Sequence, residues 1–392
     1  MTINDLFEAG LENSNLNLIY KLNEKNKVAV ITPHGLTERV EINKIVMQGE
    51  NLAPLECSVQ VDSYGKECMD EEKYLYYYRE KVPVPGLSMV DDLLCISRCG
   101  VESVLMNAFI NAKSNMKKLQ FGESKCHKIH IGKDKSICPD LYIDKWKVEG
   151  INKEGNNQSS LGDVHDCMHL IKDSKQEKYL GDLIDDSGKN DANIDARVKK
   201  GLGIIKQINA ILEDMCFGKH FFKVAKILRE SLFLNSILLN SEAWCSVSKK
   251  NIEELERIDN TLLKNIFQVP TSTPSLVLHL DLCTLPVRYV LMTRRLCFLQ
   301  YLLKEDEGSL VSRVLMAQIE NVVKGDWWES AAEDISELNL DLTLHEIKAM
   351  SKESFKTKVK EAATREAFKW LLSEKENKKK VKNNSYENFE TN

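Results

Sequence analysis

Leu87-Ser88-Met89-Val90-Asp91-Asp92-Leu93-Leu94-Cys95-Ile96 sets two adjacent aspartates between short apolar runs, and Pro83, Pro85 and Gly86 close it off upstream. Short apolar runs bounded by turn formers predict a β-hairpin with a carboxylate pair at its tip. Side chains alternate faces along a strand, so neighbouring aspartates reach one site only at a turn. A pair held there suits Mg²⁺, which prefers hard oxygen ligands and keeps waters and phosphates in its shell. Taken alone, an Asp-Asp pair reads first as a solvated turn, and the dipeptide recurs at Asp185-Asp186.

Three further segments stand around it. Upstream lies Ile45-Val46-Met47-Gln48-Gly49-Glu50-Asn51-Leu52-Ala53-Pro54-Leu55. Downstream come Leu119-Gln120-Phe121-Gly122-Glu123-Ser124-Lys125-Cys126 and then Glu177-Lys178-Tyr179-Leu180-Gly181-Asp182. In that order the four segments resemble the second half of a reverse transcriptase, of the non-long-terminal-repeat (LINE-type) retrotransposon kind, over roughly residues 5 to 300. Gln48-Gly49 and Pro54 resemble the family's Gln-Gly…Pro motif beside nucleotide and template. Asp91-Asp92 resemble its catalytic aromatic-x-Asp-Asp hairpin, with Met89 where the family carries an aromatic residue. Lys125 falls where the family has a lysine near the leaving pyrophosphate. Tyr179-Leu180-Gly181 resembles the strand that leads into the primer-gripping hairpin and the thumb.

The resemblance implies an RNA-directed DNA polymerase that uses Mg²⁺ or Mn²⁺ held by Asp91 and Asp92, with an RNA template and a DNA primer as partners. It also places the family's first catalytic aspartate on a strand before the Gln-Gly motif. The segment before Gln48 is short, and Asp5 is no convincing substitute. The expectation is a truncated palm, lacking fingers and that strand, which polymerises negligibly unless a missing N-terminal portion completes it. The same loss would leave Leu94 and Ile96 at an open sheet edge, an aggregation hazard.

Length suggests two or three domains, and the apolar and charged fractions are those of an ordinary globular protein. No run of about eighteen apolar residues exists, so no membrane span is expected, and Thr2 to Glu12 lacks the form of a signal peptide. Eleven cysteines without a framework point to a reducing compartment. The expected location is therefore intracellular, nuclear or cytoplasmic, and not secreted. Net charge is −5, yet between Ile194 and Lys304 sixteen Lys and Arg face ten Asp and Glu. A basic helical segment inside an acidic chain is what local phosphate contact requires. An amphipathic domain with lysines on its wet side explains the count equally well.

The expected fold class is α+β: a partial polymerase palm, an antiparallel sheet with helices, followed by an all-α thumb-like bundle and a C-terminal helical extension. The expected domains are 1–190 with a flexible insert near 150–163, then 191–305, 306–372 and a disordered tail at 373–392. Val101 to Leu119 reads as a helix with the stripe Val104, Leu105, Ala108, Phe109 and Ala112. Ile194, Val198, Leu202, Ile205, Ile208 and Leu212 form a second stripe, and Ile252, Leu255, Ile258, Leu262 and Ile266 a third. Phe221 to Leu239 is apolar nearly all round and should be buried by its neighbours. Thr343 with Glu346 is a capping-box pattern.

Other constellations are set aside. Cys126, His130, Cys138, His165, Cys167 and His169 include ligand types for zinc, and Cys126/His130 is an acceptable pair, but Cys138 stands alone and Cys167 and His169 are one residue apart, so no zinc is expected. Gly201-Leu202-Gly203 lies inside a helical stripe and lacks a phosphate-loop fingerprint. Two readings compete with the polymerase fragment: a non-catalytic nucleic-acid- or protein-binding module that kept the thumb-like bundle, and a helical scaffold with no affinity for nucleic acid.

Overall fold

A computed structural model describes residues 6–7, 10–23, 27–29, 31–41, 58, 76–84, 86–89, 92–117, 121–131, 139–144, 168–213 and 220–387. The protein is α+β. Its chain divides into two compact units, 1–175 and 176–392. All sheets among the described residues are two-stranded.

The described residues of the first unit form short two-stranded pairings, antiparallel but for Lys172–Asp173 beside His127–Lys128, together with helices. Leu16 and Ile19 of helix α1 (Asn13–Asn23) bury against Leu6. Ile31–Thr32 pairs with Gly35–Leu36 around a turn at Pro33-His34, which Thr32 Oγ1 closes by donating to Gly35 O at 2.8 Å. Tyr76–Tyr78 pairs with Val82–Val84, whose two valines are buried.

Helix α2 (Gly100–Lys117) forms where the periodicity places it, but its stripe faces outward. Val104 is 43% and Leu105 39% exposed, and Ala108 and Ala112 are exposed as well. The inward positions are mixed: Met106 and Ser114 are each 3% exposed, and the asparagines beside them bond to a strand. Asn107 and Asn111 donate to Tyr142 O, and Asn115 donates to Asp144 Oδ2. Asparagines one turn apart thus hold the strand Tyr142–Asp144, which pairs antiparallel with Met168–Leu170. The insert near 150–163 lies outside the described residues.

The second unit begins with the hairpin Gln176–Tyr179/Asp182–Asp185. Its tip, Leu180-Gly181, has positive φ at both residues (47° and 91°), the backbone of a tight hairpin turn. Helix α3 (Asp191–Glu213) grips it: Asn193 Nδ2 and Arg197 Nη2 each donate to Asp182 Oδ1 at 2.9 Å, and Arg197 also donates to Gly181 O. Asn240 donates to the other Asp182 oxygen at 2.7 Å. These bonds bind the hairpin to the helices, so the division at 175/176 falls before it, whereas the sequence suggests one at 190/191.

The helical bundle continues with α4 (Phe221–Leu228), a π-helical stretch Arg229–Leu234 and a last turn Asn235–Ile237. Ala225, Arg229, Phe233 and Ile237, four residues apart, are buried, while Phe222 and Ile227 are 43% and 51% exposed. This helix is covered on one face, not all round. Helix α5 (Lys249–Phe267) buries Leu255, Ile258, Leu262 and Ile266 of the expected stripe. Its end is set by Gln268 in the left-handed region, φ 52°. Helices α6 (Ser275–Asp281) and α7 (Val287–Lys304) follow.

Two cores result. The first gathers α3 to α6 and the start of α7 around Phe233, Ile258 and Leu262. The second joins α7 to α8 (Leu310–Glu320), α9 (Trp327–Glu337), α10 (Leu344–Ala349) and α11 (Lys352–Glu387) around Leu296, Leu299 and Phe355. Because α7 feeds both, the expected boundary at 305/306 falls inside one body. The Thr343–Glu346 capping box is formed in full. Trp327 donates to Glu242 O at 2.7 Å, and Arg288 lies over the Trp370 ring, 4.4 Å from its centre. Helix α11 runs to Glu387, through the stretch that reads as a tail from 373.

Candidate functional site

Leu87–Met89 and Asp92–Leu94 pair antiparallel, with Leu87 opposite Leu94, Ser88 opposite Leu93 and Met89 opposite Asp92. That register leaves Val90-Asp91 as a two-residue connection. Asp92 is exposed at the start of the second strand, and Met89 opposite is 57% exposed. Gly86 permits the hairpin's base: its φ is +117°, and a Cβ there would meet Leu94 O at 3.2 Å. Beyond the second strand, Glu102 folds back to accept from Arg98 N and from Arg98 Nη2, both at 2.8 Å. This ties the chain leaving the hairpin to the first turn of α2.

Of the six candidate residues, Asp92 and Lys125 are described, while Asp91, Gln48, Gly49 and Pro54 lie outside the described residues. Lys125 is exposed on a single 3₁₀ turn, Glu123–Lys125, with its stem close to Gly122. The all-oxygen donor set of Asp91 and Asp92 fits a hard cation such as Mg²⁺ or Mn²⁺, and the exposure of Asp92 leaves room for such an ion's waters. Among the described residues no three His, Cys, Asp or Glu side chains gather as a metal site. Of the zinc-type residues, Cys138, His165 and Cys167 lie outside the described residues, and burial pushes the Cys126 thiol up, away from thiolate.

The cationic stretch 194–304 is spent differently from its count. All six of its arginines bond within the protein. Arg197 serves the Asp182 hairpin, Arg229 meets Asp259, and Arg257 meets Glu254. Arg288 meets Glu256, Arg294 donates to Leu238 O and Asn235 Oδ1, and Arg295 meets Asp334. Lys226, Lys264 and Lys304 donate to the carbonyls of Cys283, Thr271 and Met350. Lys199, Lys200, Lys206, Lys223 and Lys250 are exposed. Charge counting missed this. The signal was present in Arg229, which falls four residues after Ala225 and four before Phe233, on the buried face.

Among the described residues no helix is long and apolar enough to cross a membrane. No family model matches the chain, and no curated protein matches it.

Proposed function

We propose that this chain is a reverse transcriptase domain-containing protein, a LINE-type retrotransposon-derived RNA-directed DNA polymerase fragment. Its palm part would lie in the first unit and its thumb-like part in the helical second unit. The observation that supports this best is the hairpin Leu87–Met89/Asp92–Leu94, whose register leaves a two-residue connection at Val90-Asp91. Asp91 and Asp92 would hold Mg²⁺ or Mn²⁺, which lowers the pKa of an attacking hydroxyl and neutralises a leaving phosphate. Lys125 would meet the leaving pyrophosphate, and Gln48, Gly49 and Pro54 would border nucleotide and template. RNA template and DNA primer are the proposed partners.

Two carboxylates on one hairpin supply part of a two-metal cage. Positioning and electrostatics provide most of the catalysis in phosphoryl transfer, so primer extension by this chain alone is expected to be negligible. Robust extension by residues 1–392 with Mg²⁺ or Mn²⁺ would overturn that. The broader reading is tested by binding of a DNA-primed RNA template, which should weaken steeply with salt.

A second reading has its own support. With every arginine between Ile194 and Lys304 bonded internally, the helical unit also suits a non-catalytic protein- or nucleic-acid-binding module. Failure to bind primed template at low salt, with the fold intact, would favour a protein partner.

A further inference from the structure

Arg229 and Asp259 form a bidentate ion pair, 2.8 and 2.6 Å, with both side chains 1% exposed. Within the field of that pair lies His279 on α6, 5% exposed, its Nδ1 3.2 Å from Thr284 Oγ1. The charges that face the imidazole are Asp259 from α5 and Arg229 from the π-helical stretch. The pair cancels itself, so a neutral ring completes a neutral interior, while a protonated one leaves an uncompensated charge there. Burial pulls the imidazole down to about 4; Asp259 and a hydrogen bond with the Thr284 backbone favour the charged form, and Arg229 opposes it.

The segment bearing His279 is held by few groups. Leu278 and Leu282 enter the first core, while Val277 and Leu280 are 45% and 41% exposed. Lys226 donates to Cys283 O at 2.9 Å and Arg229 to Leu285 O at 3.0 Å. Pro274 and Pro286 stand at its two ends, at the start of α6 and of α7, so this stretch is not continuous helix with its neighbours. Releasing it exposes far less apolar surface than melting α5 or α7, and local opening of such a unit is cheaper than global unfolding.

We propose that residues 275–285 form an acid-released clasp on the first core, closed while the His279 imidazole is neutral and opened locally when solvent protonates it. Opening lets the charged ring reach water without dismantling the bundle.

Amide hydrogen exchange on the full chain, corrected for intrinsic rates, tests this. Between pH 7 and pH 4, opening of 275–285 should rise on the order of a hundredfold relative to α5 and α7, as the proton linkage requires. His279→Gln should abolish that rise; His279→Asn serves if the first variant folds poorly. An unchanged rate, an equal rise in the variants, or a rise shared by α5 and α7 overturns the proposal. A titration of the ring by NMR that places it near the ordinary histidine value overturns it as well.

Discussion

Gly201 lies against Ile237 so closely that a Cβ on the glycine would come within 2.9 Å of Ile237 Cγ2, and equally of Ile258 Cδ1. A glycine inside α3 thus lets three helical segments approach. Gly203, two residues on, would meet nothing within 4 Å.

The two glycines therefore respond oppositely to alanine. Gly201→Ala overpacks the core and should cost roughly 1–3 kcal/mol. Gly203→Ala should stabilise by roughly 0.5–1 kcal/mol through helix propensity. Urea denaturation of the two variants checks the sign of each.

The Arg229–Asp259 pair makes a sharper claim. Arg229→Met alone leaves a buried carboxylate uncompensated and should cost about 3–5 kcal/mol. Arg229→Met with Asp259→Leu should recover most of that loss. A double variant as unstable as the single would mean that the pair's bonds, including Arg229 to Leu285 O, outweigh its desolvation.

Two buried groups give opposite pH slopes. His279 is held down to about 4 by burial, so its contribution is present above pH 6.5 and lost as pH falls through 4; the full shift is worth roughly 3 kcal/mol. Burial pushes Asp334 up to about 7 despite Arg295 at 2.8 Å. Its contribution is present below pH 3.8 and lost as pH rises through 7, about 4 kcal/mol in all. Relative to wild type, the His279→Gln stability curve should fall as pH climbs from 4 to 6.5. That of Asp334→Asn should rise over 4 to 7. Differences of the reverse sign would refute these assignments.

If the helical unit contacts phosphate, the exposed lysines do it. Lys199→Glu with Lys206→Glu, one face of α3, should weaken binding of primed template and flatten its salt dependence, by a slope of about 1 per lysine lost. Arg288→Gln should leave that slope unchanged, since its guanidinium is engaged by Glu256 and Trp370.

Much of the helical unit was legible because its signals are local and periodic. Ile194, Val198, Ile205, Ile208 and Leu212 are buried as their spacing demands, with Leu202 at the margin, 43% exposed. The Thr343 cap needs three residues to declare itself. The strands at 87–94 show because turn formers bracket them. What stayed hidden depends on partners far along the chain. Arg229 and Asp259 meet across thirty positions, and no period announces which cation turns inward. On α2 the period shows in the sequence but not which residues turn inward: Met106 is 3% exposed while Val104 and Leu105 stay exposed, and Asn107, Asn111 and Asn115 find carbonyl and carboxylate acceptors on Tyr142–Asp144. Of the candidate site, the hairpin's register is visible; the acidic tip and the Gln-Gly segment rest on sequence alone.

The most direct test of the central claim is Mn²⁺ binding, followed by water-proton relaxation, in the full chain and in Asp91→Ala with Asp92→Ala. The polymerase reading predicts that the wild-type chain binds Mn²⁺, more tightly with a deoxynucleoside triphosphate, and that the double variant loses this binding while keeping its helical fold. Identical titrations of the two proteins would contradict it.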